Sequence, residues 1–147
     1  LSRELEHISD KPAIFTDMNG KPTTVPELNN EGVTGMYRSS GGAEGDKAWG
    51  TRAKWMSLSG EIKKERILLT IFDHPENIGY PAYWHARGYG LFAVNPLGQE
   101  AMSGGKEALN FKLGKGESVT FKYRMLVISG VEFSADMLNN EFEKFVK

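Results

Sequence analysis

Turn-forming residues cut this sequence into short pieces, and that punctuation limits its fold more than any other feature. Pro12, Pro22 and Pro26, the turn Asp17-Met18-Asn19-Gly20, and Asn29-Asn30 ahead of Gly32 leave no room for a long helix near the start. They admit short strands at 13–16 and 23–25, joined by a hairpin at Asn19-Gly20. A second punctuated stretch, 39–50, sets Gly41, Gly42, Gly45 and Gly50 around Glu44 and Asp46. Its spacing matches neither the Walker nor the dinucleotide glycine pattern, so it reads as a loop or a bulged edge.

Between the turns the pattern is that of a sheet. Residues 51–58 are compatible with a strand, and 65–73 form a β-branched and aliphatic run. Leu109, Phe111 and Leu113 alternate with Ala108, Asn110 and Lys112. Over 118–129, Val119, Phe121, Tyr123, Met125 and Val127 share one face; the other begins with Thr120, Lys122 and Arg124 and ends with Leu126 and Ile128. Gly-bearing turns at 103–106 and 113–116 separate these runs at spacings normal for antiparallel strands. The period then changes. Ser134 is placed to cap a helix running through Val146, with Phe133 and Leu138 as a hydrophobic staple and Met137, Leu138, Phe142, Phe145 and Val146 as its apolar stripe. The expected fold is mostly β, an antiparallel β-sandwich with one C-terminal α-helix, and 147 residues suit a single domain.

Composition removes several functions. Eighteen Lys and Arg against nineteen Asp and Glu give a net charge of −1, with no bulk attraction for nucleic acid or an anionic membrane. The strongest apolar run, 67–72, falls far short of the roughly 20 residues that span a bilayer. With no cysteine there is no disulfide, thiol nucleophile or thiolate metal site. Gly-x-Ser-x-Gly, His-Glu-x-x-His and EF-hand patterns are all missing. No cofactor or metal is expected, since His74 and His85 bring no third ligand.

Chemistry-bearing residues crowd into 72–98. If 82–87 is extended, Tyr83, His85 and Arg87 project from one face, and Trp84 and Ala86 from the other. His74 lies just past a strand end, where a loop can carry it to the mouth of the sheet. Such residues suit a carbohydrate: aromatic faces cover its C–H patches, Arg and His bind hydroxyls or a uronate, and His exchanges protons near neutral pH. Glycoside hydrolysis usually needs two carboxylates, for which Asp73, Glu44, Asp46 and Glu76 are available. Asp73 could equally cap the His74-Pro75 turn, and Glu44 could be a solvated turn residue. Arg52, flanked by Trp49 and Trp55, is a further cationic candidate.

Glu44-Gly45-Asp46, Trp49-Gly50-Thr51-Arg52-Ala53-Lys54-Trp55, Asp73-His74-Pro75-Glu76-Asn77, the run from Trp84 to Phe92 and Asn95-Pro96-Leu97-Gly98 together resemble the C-terminal half of a bacterial family. It is commonly labelled methane oxygenase PmoA-like, and its members occur beside glycan-degrading genes in Bacteroidetes and related bacteria. The resemblance runs from Arg3 to the final helix. It implies a mutarotase-like sandwich outside the cytoplasm, periplasmic or extracellular, with a role in carbohydrate processing and no settled reaction; the residues themselves make a glycoside hydrolase or polysaccharide lyase the first hypothesis. A noncatalytic carbohydrate-binding module, or the structural half of a larger enzyme, is the alternative. In this reading His74, His85 and Asp73 are catalytic, while Arg87, Arg52, Tyr83, Trp84, Glu44 and Asn77 hold the sugar. The resemblance also implies that the chain is the C-terminal portion of a larger sandwich. Its open strand edges would then be covered by a second copy or by the N-terminal half.

Overall fold

The computed structural model describes residues 2–10, 16–21 and 30–147. The strands are β1 (Met36–Ser39), β2 (Trp55–Ile62), β3 (Glu65–Asp73), β4 (Tyr83–Ala86), β5 (Phe92–Asn95) and β6 (Tyr123–Ser129). A single-turn helix, α1 (Gln99–Met102), follows β5, and α2 (Ala135–Phe145) ends the chain. All strand pairings are antiparallel; β1-β2-β3-β6 form one sheet and β4-β5 a separate hairpin. The chain is thus mostly β, in antiparallel sheets, with one main C-terminal helix, as the alternation and the final change of period require. No described helix is long and apolar enough to cross a membrane.

Period-2 alternation divides the four-stranded sheet into two apolar faces. Met56 and Leu58 of β2 and the half-buried Ile67 and Ile71 of β3 pack against Trp84 and Ala86 of β4 and Phe92 and Val94 of β5. Trp55, Leu68 and Phe72 point the other way, onto Leu138 and Phe142 of α2. The sheet therefore lies between the hairpin and the helix. Each large side chain enclosed in these layers contributes about 2 kcal/mol of hydrophobic stabilisation. Ser134 caps α2 by accepting the Met137 N–H at 3.1 Å, and Phe133 and Leu138 join the same apolar cluster. The hairpin does not extend over β6, the outer strand, where Met125 and Val127 are 64% and 62% exposed.

Several boundaries differ from the sequence reading for identifiable reasons. The stretch 51–58 is not one strand: Arg52 bridges Tyr83 at the edge of β4, and the chain then crosses to enter the large sheet at Trp55. β2 continues through Gly60, where a Cβ would meet Thr34 Oγ1 at 2.8 Å and Leu5 Cδ1 at 3.0 Å. The β2–β3 turn is made by Lys63 and Lys64 at φ 51° and 68°, with none of the usual Asn-Gly signal. β6 starts at Tyr123 instead of 118 because its partner ends at Asp73, opposite Tyr123. The alternation at 109–113 forms no strand. Within 39–50 a short 3-10 turn, Gly45–Ala48, appears in the expected loop. The expected strands at 13–16 and 23–25 lie outside the described residues except for Thr16. The turn between them is present, held by Asn19 and Lys21 N–H groups on Asp17 Oδ1 at 2.8 and 3.0 Å.

Candidate functional site

β4 sorts its side chains as a two-residue period demands. Trp84 and Ala86 enter the core, while Tyr83, His85 and Arg87 line the opposite side with Trp49 and Arg52. The following turn fixes Arg87, whose N–H donates to Leu91 O at 2.9 Å and whose carbonyl accepts from Gly90 N at 3.1 Å. Gly88 in that turn lies against Ser9, with space for no side chain; a Cβ there would sit 2.7 Å from Ser9 Cβ.

Trp49 is the centre of this face. The Arg87 guanidinium carbon lies 3.6 Å from its ring centroid, and the His85 ring lies at 4.9 Å. A separation of 3.6 Å places the cation over the ring face, where the aromatic quadrupole attracts it. Apart from this contact, the Arg87 guanidinium has neither a hydrogen-bond nor an ion-pair partner among the described residues. Asn95 of β5 places Nδ2 3.2 Å from His85 Nε2. An amide N–H donating to the ring there leaves the imidazole proton on Nδ1. Burial, and then the charge of Arg87, hold His85 below its usual pKa, so the ring is neutral at physiological pH. Tyr89, next in the turn, is 43% exposed.

Arg52 is engaged in a different way. Its Nε donates to Pro81 O at 2.7 Å, Nη2 to Gly79 O at 3.2 Å and Tyr80 O at 3.4 Å, and Nη1 to Glu107 at 2.6 Å. It straps the 79–81 loop and has little left to offer a ligand. Tyr83 is nearly enclosed beneath it, the guanidinium carbon 5.4 Å from the ring; burial, then the charge of Glu107, raise its phenol pKa.

Asp73, His74 and Asn77 form a second group, in which His74 meets α2 through Phe145. Asp73 is fully buried and accepts from Asn77 Nδ2 and Ala82 N, both at 2.8 Å. Asn77 also donates to Lys122 O at 2.7 Å and accepts Lys122 N–H at 2.6 Å. His74 accepts the Glu76 N–H on Nδ1 at 3.2 Å and sets its ring edge-on to Phe145 at 5.1 Å. Burial raises the Asp73 pKa against the opposing effect of its donors.

These positions correct several expectations. Asp73 caps its own turn, and both its oxygens are occupied away from solvent, so it is not an accessible catalytic carboxylate. Asn77 is a clamp between two loops. His74 is 9% exposed and packed beneath α2. Trp84 has no exposed surface for a sugar, and its indole N–H donates to Ala53 O at 2.9 Å. Glu44 forms an exposed ion pair with Arg38, Nε to Oε1 2.7 Å. Of the named candidates, His85 and Arg87 remain open together. Trp49 and Asn95 complete their surroundings, and the sequence signal for both was their place in the recognised motifs. Bordering this face, buried His7 sets Nδ1 3.2 Å from Gly35 O and Nε2 3.4 Å from Asp46, which accepts from Ser9 Oγ at 2.9 Å and Asp10 N at 2.8 Å.

No group of three His, Cys, Asp or Glu residues among those described is arranged to hold a metal. A groove of about 660 Å³ lies elsewhere, between Met36, Ser59 and Arg66 of the large sheet and Phe133. The family of unknown function DUF6807 matches residues 12–143. No curated protein and no solved structure matches the chain.

Proposed function

The chain belongs to the family of unknown function DUF6807, and we propose that it handles carbohydrate in bacterial glycan utilisation, holding a sugar on the outer face of β4. The observation that carries this reading is the Arg87 guanidinium fixed over Trp49, its donors without partners among the described residues, with His85 beside the same ring. A neutral imidazole and a free guanidinium supply directed donors for hydroxyl or carboxylate oxygens, and exposed Tyr89 offers apolar ring surface. The resemblance to glycan-locus proteins supports the same ligand class, and a location outside the cytoplasm goes with that role.

Recognition of the sugar fits this face better than its hydrolysis. A hydrolase needs two accessible carboxylates flanking one bond, and Asp73 is sealed while Glu107 is tied to Arg52. The second reading is an eliminating lyase, favoured by one observation: His85, neutral, and Arg87 share one platform. There Arg87 would neutralise a uronate carboxylate and His85, its Nε2 released from the Asn95 N–H by the bound sugar, would take the α-proton; the electron pair forms the C=C bond, and the sugar oxygen leaves with the pair of its broken bond and takes a proton from water.

A glycan array probed with the full chain tests the main reading. Binding is expected for the wild type and His74→Ala, with a loss of tenfold or more in His85→Ala and Arg87→Ala. Binding unaffected by both latter substitutions would remove this face from the function. Unsaturated uronate product formed by the wild type but not by His85→Ala would establish the lyase version instead.

A further inference from the structure

Arg87 differs from the other charged groups around it in having no counter-charge among the described residues. Asp46, three residues before Trp49, is bonded by Ser9 Oγ and the Asp10 N–H. Glu6, whose Cγ would lie 3.3 Å from a Cβ at Gly90, pairs with Arg3 at 3.4 Å. Glu107 pairs with Arg52 at 2.6 Å. The acids bordering the face are therefore engaged, and Arg87 is the cation left unbalanced.

Its fixation also matters. A guanidinium held against an indole loses much of its freedom before any ligand arrives, so little ordering cost remains when it forms two parallel hydrogen bonds. That fork matches a carboxylate in geometry and charge. His85, with its Nε2 lone pair taken by Asn95, has Nδ1–H available as a neutral donor beside the same ring. Neutral hydroxyls need no such unbalanced cation. We propose that Arg87 on Trp49 is an anion-reading group, and that the sugar taken by this face is a uronic acid residue held through its carboxylate. This rests on the carbohydrate reading above and narrows it to acidic glycans.

The test is calorimetric titration of the full chain with oligogalacturonate, oligomannuronate and a glucuronate-containing oligosaccharide, each beside its carboxyl-reduced counterpart, with a sulfated galactan oligosaccharide as a further arm. At least one acidic sugar is expected to bind tenfold or more tighter than its reduced form. Arg87→Gln should abolish that preference, and Arg87→Lys, which keeps the charge but not the fork, should retain only part of it. Equal binding of acidic and reduced forms, unchanged in Arg87→Gln, would overturn the proposal while leaving carbohydrate recognition intact. Preference for the sulfated sugar alone would overturn the uronate assignment. Failure of every sugar, acidic, reduced and sulfated, would remove the carbohydrate reading together with this one.

Discussion

His74 and His85 stand in similar company in the sequence, each near aromatic and charged residues, yet the fold leaves them in opposite conditions. Around His74 the neighbours bond to one another: Asp73 to Asn77 and Ala82, and Asn77 to both backbone groups of Lys122. Around His85 the arrangement is incomplete, with Arg87 held by a ring and by no acceptor among the described residues. The two arginines repeat the contrast, since Arg52 meets three carbonyls and a carboxylate. Residue type does not separate a scaffold from a candidate site here; the degree of hydrogen-bond saturation does.

That contrast is broken most readily at Asp73. Removing its carboxylate leaves the Ala82 N–H and the Asn77 amide without their acceptor in a buried place, at a cost of about 3 kcal/mol. Urea unfolding of Asp73→Ala should show this loss, with any sugar affinity of the folded fraction unchanged. Retained stability would mean that the turn is not held by these bonds. Arg52→Ala should follow at about 2 kcal/mol, because three loop carbonyls and Glu107 lose their donor while the exposed part of the pair contributes little.

Some of this was legible in the sequence, and the distinction is physical. Strand 65–73 was readable at its bounds because β3 is covered on both faces and so carries an aliphatic run. The final helix was readable because Ser134 and the apolar stripe are local signals. The division of Tyr83, His85 and Arg87 from Trp84 and Ala86 followed from strand period alone. Invisible were the events that depend on distant partners: the change of sheets between Arg52 and Trp55, the pairing of 36–39 with β2 and of 92–95 with β4, and the failure of 109–113 to find a strand. The same limit applied to the site. Nothing in the spacing of Asp73 and Asn77 revealed that Lys122 would complete their network, or that Trp49 would lie under Arg87.

Arg87→Gln provides the sharper comparison with Arg52. With only the contact to Trp49 to lose, and no hydrogen bond or ion pair among the described residues, it should change stability by about 0.5–1 kcal/mol in the same urea experiment. A loss matching that of Arg52→Ala would show that the cation braces the fold, and the contrast between the two arginines would disappear.

The smallest effect concerns pH, and there the two regions should act with opposite sign. Asp73 has a folded pKa above its ordinary 3.8, so between those two values the native state binds the extra proton. Its contribution to stability is lost as pH rises through that window. His85 has a folded pKa below its ordinary 6.5, so there the unfolded state binds the extra proton. Its contribution is present above 6.5 and is lost as pH falls through the folded value. Thermal unfolding followed over this acidic range should steepen toward acid instability in Asp73→Asn relative to wild type, and flatten in His85→Asn. Both variants shifting the profile the same way would contradict the assigned environments. A bound anion beside His85 should raise the imidazole pKa and so take up protons, strengthening acidic-sugar binding as pH falls below neutrality. Calorimetry in buffers of different ionisation enthalpy reads that uptake directly, and its absence would put the ligand's charge away from His85.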